Sequence, residues 1–146
     1  MTDTTIDSIR QDFEFLDDWE ERYRYIIDLG AALEPYPDAL RDDAHKVRGC
    51  VSQVWLAVDR NEDPDPVLHF AGDSDAHIVR GLVAIVLALY SGRRASEIVA
   101  TDAETVFQQF GLDEHLTPQR SNGLRAMVKR IHDEGRAALA THQPAN

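Results

Sequence analysis

The stretch GLVAIVLALY, residues 81–90, carries no charged side chain. It is too short to cross a bilayer, which takes about 20 apolar residues. Ile78, Val79, Leu82, Val83, Ile85, Val86 and Leu89 continue the apolar set over more than one face of a helix. Such a helix must be covered on more than one side and belongs at the centre of a fold. Its predicted start is Asp73 or Ser74 and its end Tyr90, with Gly92 just beyond as a terminator. The rest of the chain has to supply the cover.

Helical stripes do so at both ends. Ile6, Ile9, Phe13 and Leu16 fall at helical spacing and predict a first helix over residues 6–16. Asp18 caps a second helix, with Glu21 three residues on as in a capping box. Trp19, Tyr23, Ile26, Ile27 and Leu33 form its buried face, and Pro35 and Pro37 stop it. Further on, a short helix is expected over residues 96–99. Thr101 and Glu104 form another capping box, for a helix that runs through Phe110 and ends at Gly111. Thr117 and Pro118 supply an N-cap and a first-turn proline for the last helix. Leu124, Met127, Val128 and Ile131 make its apolar stripe, and the tail from His142 frays.

The middle of the chain changes period. QVWLAVDR, residues 53–60, is rich in β-branched and aromatic residues and reads as a strand. Residues 67–71 read as its partner across the polar turn RNEDPDP, and residues 45–49 as a short third strand. The expectation is an α+β fold, a small antiparallel three-stranded sheet packed against helices. It forms one domain over residues 1–146 with its core at about residues 6–141.

Composition narrows the function. The 146 residues are 43% apolar and carry a net charge of −11. That excess of negative charge argues against a general nucleic-acid binder and against an anionic membrane surface, and favours a partner with a basic patch. The acidic start, MTDTTIDSIRQDFEFLDDW, has no apolar segment of the signal-peptide kind. A soluble cytoplasmic protein is expected. One cysteine excludes an internal disulfide and a Cys₄, Cys₂His₂ or iron–sulfur site built from this chain alone. No zinc-type histidine spacing, nucleotide-binding glycine motif or Gly-x-Ser-x-Gly elbow occurs, so no metal and no cofactor is expected.

Four groups of residues could carry chemistry. Cys50 follows Lys46, Arg48 and Gly49, at the approach to the first strand. Two cations favour a thiolate, the form that attacks sulfur, and the glycine permits an unusual backbone angle. The alternative is a buried cysteine acting as a small hydrophobe. Arg120 falls in the first turn of the last helix, where a cation opposes the helix dipole. Taken alone it reads as a solvated surface arginine; the alternative is a group outside the helix that uses the charge. Asp73 and Asp75 are either an acid–base or metal pair or, the preferred reading, helix-capping residues. His45 is near Cys50 in sequence, but in an extended segment the two side chains lie on opposite faces.

The chain resembles the SufE family over most of its length, from about Trp19 to the last helix. The segments that carry the resemblance are WEERY at residues 19–23, VRGCVSQVW at 47–55, GDSDA at 72–76, IVRGL at 78–82 and HLTPQRSNGL at 115–124, in that order. The resemblance implies a sulfur acceptor and carrier. It would take persulfide sulfur onto Cys50 from a pyridoxal-phosphate-dependent cysteine desulfurase of the SufS or CsdA kind, stimulate that enzyme, and deliver the sulfur to a SufBCD-like iron–sulfur assembly scaffold. It implies no cofactor on this chain, and leaves a homodimer open. Arg120 matches the family's arginine. The implied fold is the α+β fold shared with IscU-type scaffolds, which carry three cysteines against one here. Val51 stands where many members have glutamine. Two other readings remain at this stage: an interaction protein that only activates the desulfurase, and a stand-alone thiol enzyme.

Overall fold

The computed structural model describes residues 5–49 and 52–141, the side chains of Asp113 and Thr141 excepted. The chain forms α1 (Ile6–Phe15), α2 (Trp19–Ala31), a 3₁₀ turn (Asp38–Leu40), β1 (Val54–Arg60), β2 (Val67–Ser74) and α3 (His77–Tyr90). It continues with β3 (Arg93–Arg94), α4 (Ala95–Ala100), α5 (Ala103–Gln109), α6 (Leu112–His115) and α7 (Pro118–Thr141). The sheet is antiparallel throughout, in the order β1-β2-β3. The fold is α+β, with helices packed on a small three-stranded sheet.

Helix α3 lies at the centre, as its composition requires. Val83, Ile85, Val86 and Tyr90 are fully buried. Helix α2 crosses it backbone to backbone through two glycines. A Cβ on Gly81 would stand 2.1 Å from the carbonyl oxygen of Ile26, and one on Gly30 would stand 2.6 Å from the amide nitrogen of Gly81. No side chain fits at this crossing. Ile6, Ile9 and Phe13 of α1 close one end of the core. Leu124, Met127 and Ile131 of α7 are buried and Val128 is half-buried. On α2, Ile26 is buried, while Trp19, Tyr23 and Ile27 are half-buried. Among the described residues, no helix is long and apolar enough to cross a membrane.

Several elements differ from the sequence expectation. The third strand is Arg93–Arg94, paired with Leu68 and Val67, and not residues 45–49. The 45–49 segment does pair with β1, but only through the Lys46–Trp55 bridge, because Gly49 then turns the chain at φ 93°. Strand β2 runs on to Ser74, with Gly72, Asp73 and Ser74 opposite Leu56, Trp55 and Val54. Helix α3 therefore starts at His77, behind an Ala76 cap that has no capping side chain. Asp73 does not cap it. The α5 cap is Asp102, which accepts from the Glu104 amide at 3.0 Å, because Thr101 is held by its hydroxyl to the Glu97 carbonyl of α4. Helix α6 was not anticipated; it forms after Gly111 turns the chain with φ 71°.

Candidate functional site

The segment around the cysteine is anchored on both sides. Before it, the Val47 amide donates to the Val54 carbonyl at 2.8 Å, and the Leu56 amide to the His45 carbonyl at 2.9 Å. Residues 45–47 and 54–56 thus form the two arms of a hairpin, joined by residues 48–53. Gly49 lies against α7, where its Cβ position would be 3.3 Å from the Ala126 methyl. After the loop, Gln53 and Asp75 bind each other reciprocally. The Gln53 amide donates to Asp75 Oδ1 at 3.1 Å, its side chain donates to Oδ2 at 3.3 Å, and the Asp75 amide donates to the Gln53 carbonyl at 3.3 Å. Asp75 is therefore a brace for the loop, in place of the helix-capping role expected for it. Cys50 and Val51 themselves lie outside the described residues, and so does the choice between a reactive thiolate and a buried cysteine.

Ser52 lines a cavity of about 210 Å³. Val79 and Leu82 of α3 and Leu124 and Met127 of α7 give it an apolar floor. Thr117, Gln119 and Arg120 stand at its polar side. Arg120 is half-buried, and Nη1 donates to the Tyr23 hydroxyl at 2.9 Å. Its guanidinium carbon is 5.9 Å from the Tyr23 ring centroid. Among the described residues, no carboxylate pairs with it. The first turn of α7 is capped without it, by Thr117 Oγ1 accepting from the Arg120 amide at 3.3 Å. The charge of Arg120 therefore stays available at the cavity, held in place by a neutral phenol.

A buried ion cluster backs the site. Asp73, at the end of β2, accepts from Arg41 Nη1, from Arg80 Nε at 2.8 Å and from the Ser74 amide at 2.8 Å. Burial alone would raise the Asp73 carboxyl. The Arg41 hydrogen bond, the Ser74 amide and the two guanidinium charges outweigh it and hold the carboxyl below the usual range. Arg41 also lies over the rings of Tyr36 and Trp55, at 5.3 and 5.5 Å. The cluster thus ties the 36–41 segment to the strand pair that leaves the cysteine loop. Both sequence readings of Asp73 give way to this structural ion pair.

His45 is engaged elsewhere, with Nδ1 at 2.6 Å from Asp42 Oδ1. That side-chain hydrogen bond and the one from the His45 amide hold the Asp42 carboxyl below its usual value. Of the residues picked from sequence, the structure puts Arg120 at the cavity beside Ser52. It gives Asp73 and His45 to other partners. Tyr23, Arg41 and Arg80 were not picked. Tyr23 and Arg41 act through partners distant in sequence, whereas Arg80 pairs with Asp73 seven residues away; only the WEERY and IVRGL segments of the resemblance contain Tyr23 and Arg80.

The fold and the cavity define a class: a small α+β protein in which Ser52, just after the cysteine, lines an apolar cavity together with Arg120, to which no carboxylate pairs among the described residues. A family model described as SufE, the Fe-S metabolism associated domain, matches residues 7–135. The chain is 58% identical over 137 residues to a SufE-like protein of Rhizobium etli, covering 93% of each. It is 56% identical over 137 residues to a SufE-like protein of Rhizobium meliloti, covering 93% of this chain and 98% of the relative. A hypothetical protein from Thermus thermophilus, solved in solution, shares the fold with a TM-score of 0.71 at 19% identity, over 92% of this chain and 96% of that one. The chain belongs to the SufE family, whose domain is associated with Fe–S metabolism.

Proposed function

We propose that this protein is a sulfur carrier, taking sulfane sulfur from a cysteine desulfurase onto Cys50 and passing it to an iron–sulfur assembly scaffold. Family membership over residues 7–135 is the observation that carries this reading. The surroundings of the loop support it: Ser52 lines an apolar cavity with Arg120, which has no carboxylate partner among the described residues, and Gly49 lies against α7.

The chemistry is thiol exchange on sulfur. The donor is the persulfide that the desulfurase, using its own pyridoxal phosphate, leaves on its cysteine. The Cys50 thiolate attacks the outer sulfur of that persulfide. A new bond forms between Cys50 Sγ and the sulfane sulfur, and the old sulfur–sulfur bond breaks. Its electron pair leaves on the desulfurase thiolate. No outside oxidant or reductant takes part. A persulfide is easily lost to water-borne thiols, and a floor of Val79, Leu82, Leu124 and Met127 can exclude them. Arg120 offers a counter-charge to the thiolate before transfer and to the terminal sulfur after it.

The same partner contact would stimulate the desulfurase, because removal of the sulfane sulfur frees its cysteine for another turnover. Desulfurase turnover with cysteine is to be measured with wild-type protein and with Cys50→Ser. The carrier reading predicts stimulation by the wild type and none by the variant. Equal stimulation by both would replace it with a pure activator.

A further inference from the structure

Among the described residues, the incoming arm of the cysteine hairpin, a turn leading into the Lys46 bridge, has no strand on its outer side. On its inner side it is paired with β1, through the Val47 amide and the His45 carbonyl. The carbonyls that alternate with His45 belong to Ala44 and Lys46. Both are taken by one side chain of α7: Arg130 Nη2 donates to the Ala44 oxygen at 3.0 Å, and Nη1 to the Lys46 oxygen at 3.2 Å. Arg130 Nε is held in turn by Glu134, one turn along the helix, at 3.4 Å. Both side chains of that pair are about two-thirds covered, at 29% and 33% exposure.

The guanidinium thus joins the turn at Ala44 to the bridge residue Lys46. Its rigid planar fork reaches both carbonyls at once, which a lysine ammonium cannot do in the same way. Ala126, one turn earlier on α7, is the residue against which Gly49 lies. Arg120 is on the same helix. Helix α7 therefore grips the incoming arm at residues 44 and 46, touches it again at Gly49, and presents the cavity arginine.

We propose that Arg130 is a positioning residue for the chemistry of Cys50, clamping the cysteine loop to the helix that carries Arg120. Its part in sulfur transfer rests on the carrier reading above. Its effect on the thiol does not, and can be measured without a partner.

The test compares wild type with Arg130→Met, which keeps an apolar stem, and with Arg130→Lys, which keeps the charge and loses the fork. Each protein is alkylated at Cys50 with iodoacetamide across the thiol's titration range, and its amide hydrogen exchange is followed. Arg130→Met is expected to alkylate about tenfold faster, the weight of one lost hydrogen bond to a charged group. Exchange should quicken at the Val47 and Leu56 amides and stay slow in α3. Arg130→Lys should fall in between. The inference is overturned if both variants give the wild-type alkylation profile, or if the thiol changes only in step with exchange across the whole core. Should Arg130→Met not fold, Arg130→Lys decides alone by the same two readouts. If wild type takes up no sulfur from a desulfurase, the carrier reading fails and the alkylation comparison still decides the clamp.

Discussion

Arg120 sits where its charge opposes the dipole of α7, and its hydrogen-bond partner is the neutral Tyr23 hydroxyl, 97 residues away in the chain. A carboxylate partner would have satisfied it better and neutralised it. The arrangement keeps a positive charge beside the cavity at some local cost. Arg120→Ala is expected to slow sulfur transfer to Cys50 about tenfold, the loss of about 1.5 kcal/mol from one charge-assisted contact. Tyr23→Phe keeps the ring, loses the hydroxyl and should slow transfer less. Single-turnover transfer from a preloaded desulfurase would measure both, and an unchanged rate in Arg120→Ala would remove Arg120 from the mechanism.

Asp73 gives a second residue-scale prediction, with a definite sign. Its carboxyl is held low in the folded state, so it adds stability at any pH above the ordinary aspartate value of about 3.9. That contribution is lost as pH falls below this value toward the folded-state value. Asp73→Asn should cost about 2 kcal/mol near neutrality, because it leaves Arg80 without its anion and Arg41 with only the exposed Asp38. It should also flatten the acid limb of the stability curve. Denaturant melts of both proteins at neutral and acid pH would show this; parallel acid limbs would mean the ion cluster does not couple to folding.

At the scale of elements, the α2–α3 crossing leaves no room for a side chain at Gly30 or Gly81. Gly81→Ala puts a methyl into the Ile26 carbonyl and should destabilise by about 3 kcal/mol, at the upper end of ordinary overpacking. Urea unfolding checks it, and a loss below about 1 kcal/mol would show that the helices separate easily. Helix α3 was legible in the sequence because composition alone makes it central. Its first turn was not. Gly72-Asp73-Ser74 is good helix-cap chemistry, and here tertiary pairing with Leu56, Trp55 and Val54 extends the strand instead. Strand β3 was invisible for the opposite reason: two arginines have no strand signature, and only the return of the chain after Gly92 lays them against Val67 and Leu68. The site shows the same division. Cys50 and Arg120 could be picked by chemistry and by resemblance. Tyr23, Arg41 and Arg130 could not, since each acts through a partner that the fold supplies.

For the whole molecule, membership in the SufE family and a net charge of −11 point in one direction. Under the proposed carrier function, the acidic surface would meet a basic patch on the partner, where sulfur is exchanged. Gly49 lies against Ala126 of α7, Ser52 shares a cavity with Arg120 of the same helix, and Asp75 braces the loop through Gln53. The central claim is that Cys50 receives the sulfur. The measurement that tests it most directly is intact mass, without reductant, after incubation with a SufS-type desulfurase and cysteine. The account predicts a gain of one or more sulfur atoms that is removed by reductant and absent from Cys50→Ser. An unchanged mass in the wild type, with the desulfurase demonstrably loaded, would contradict it.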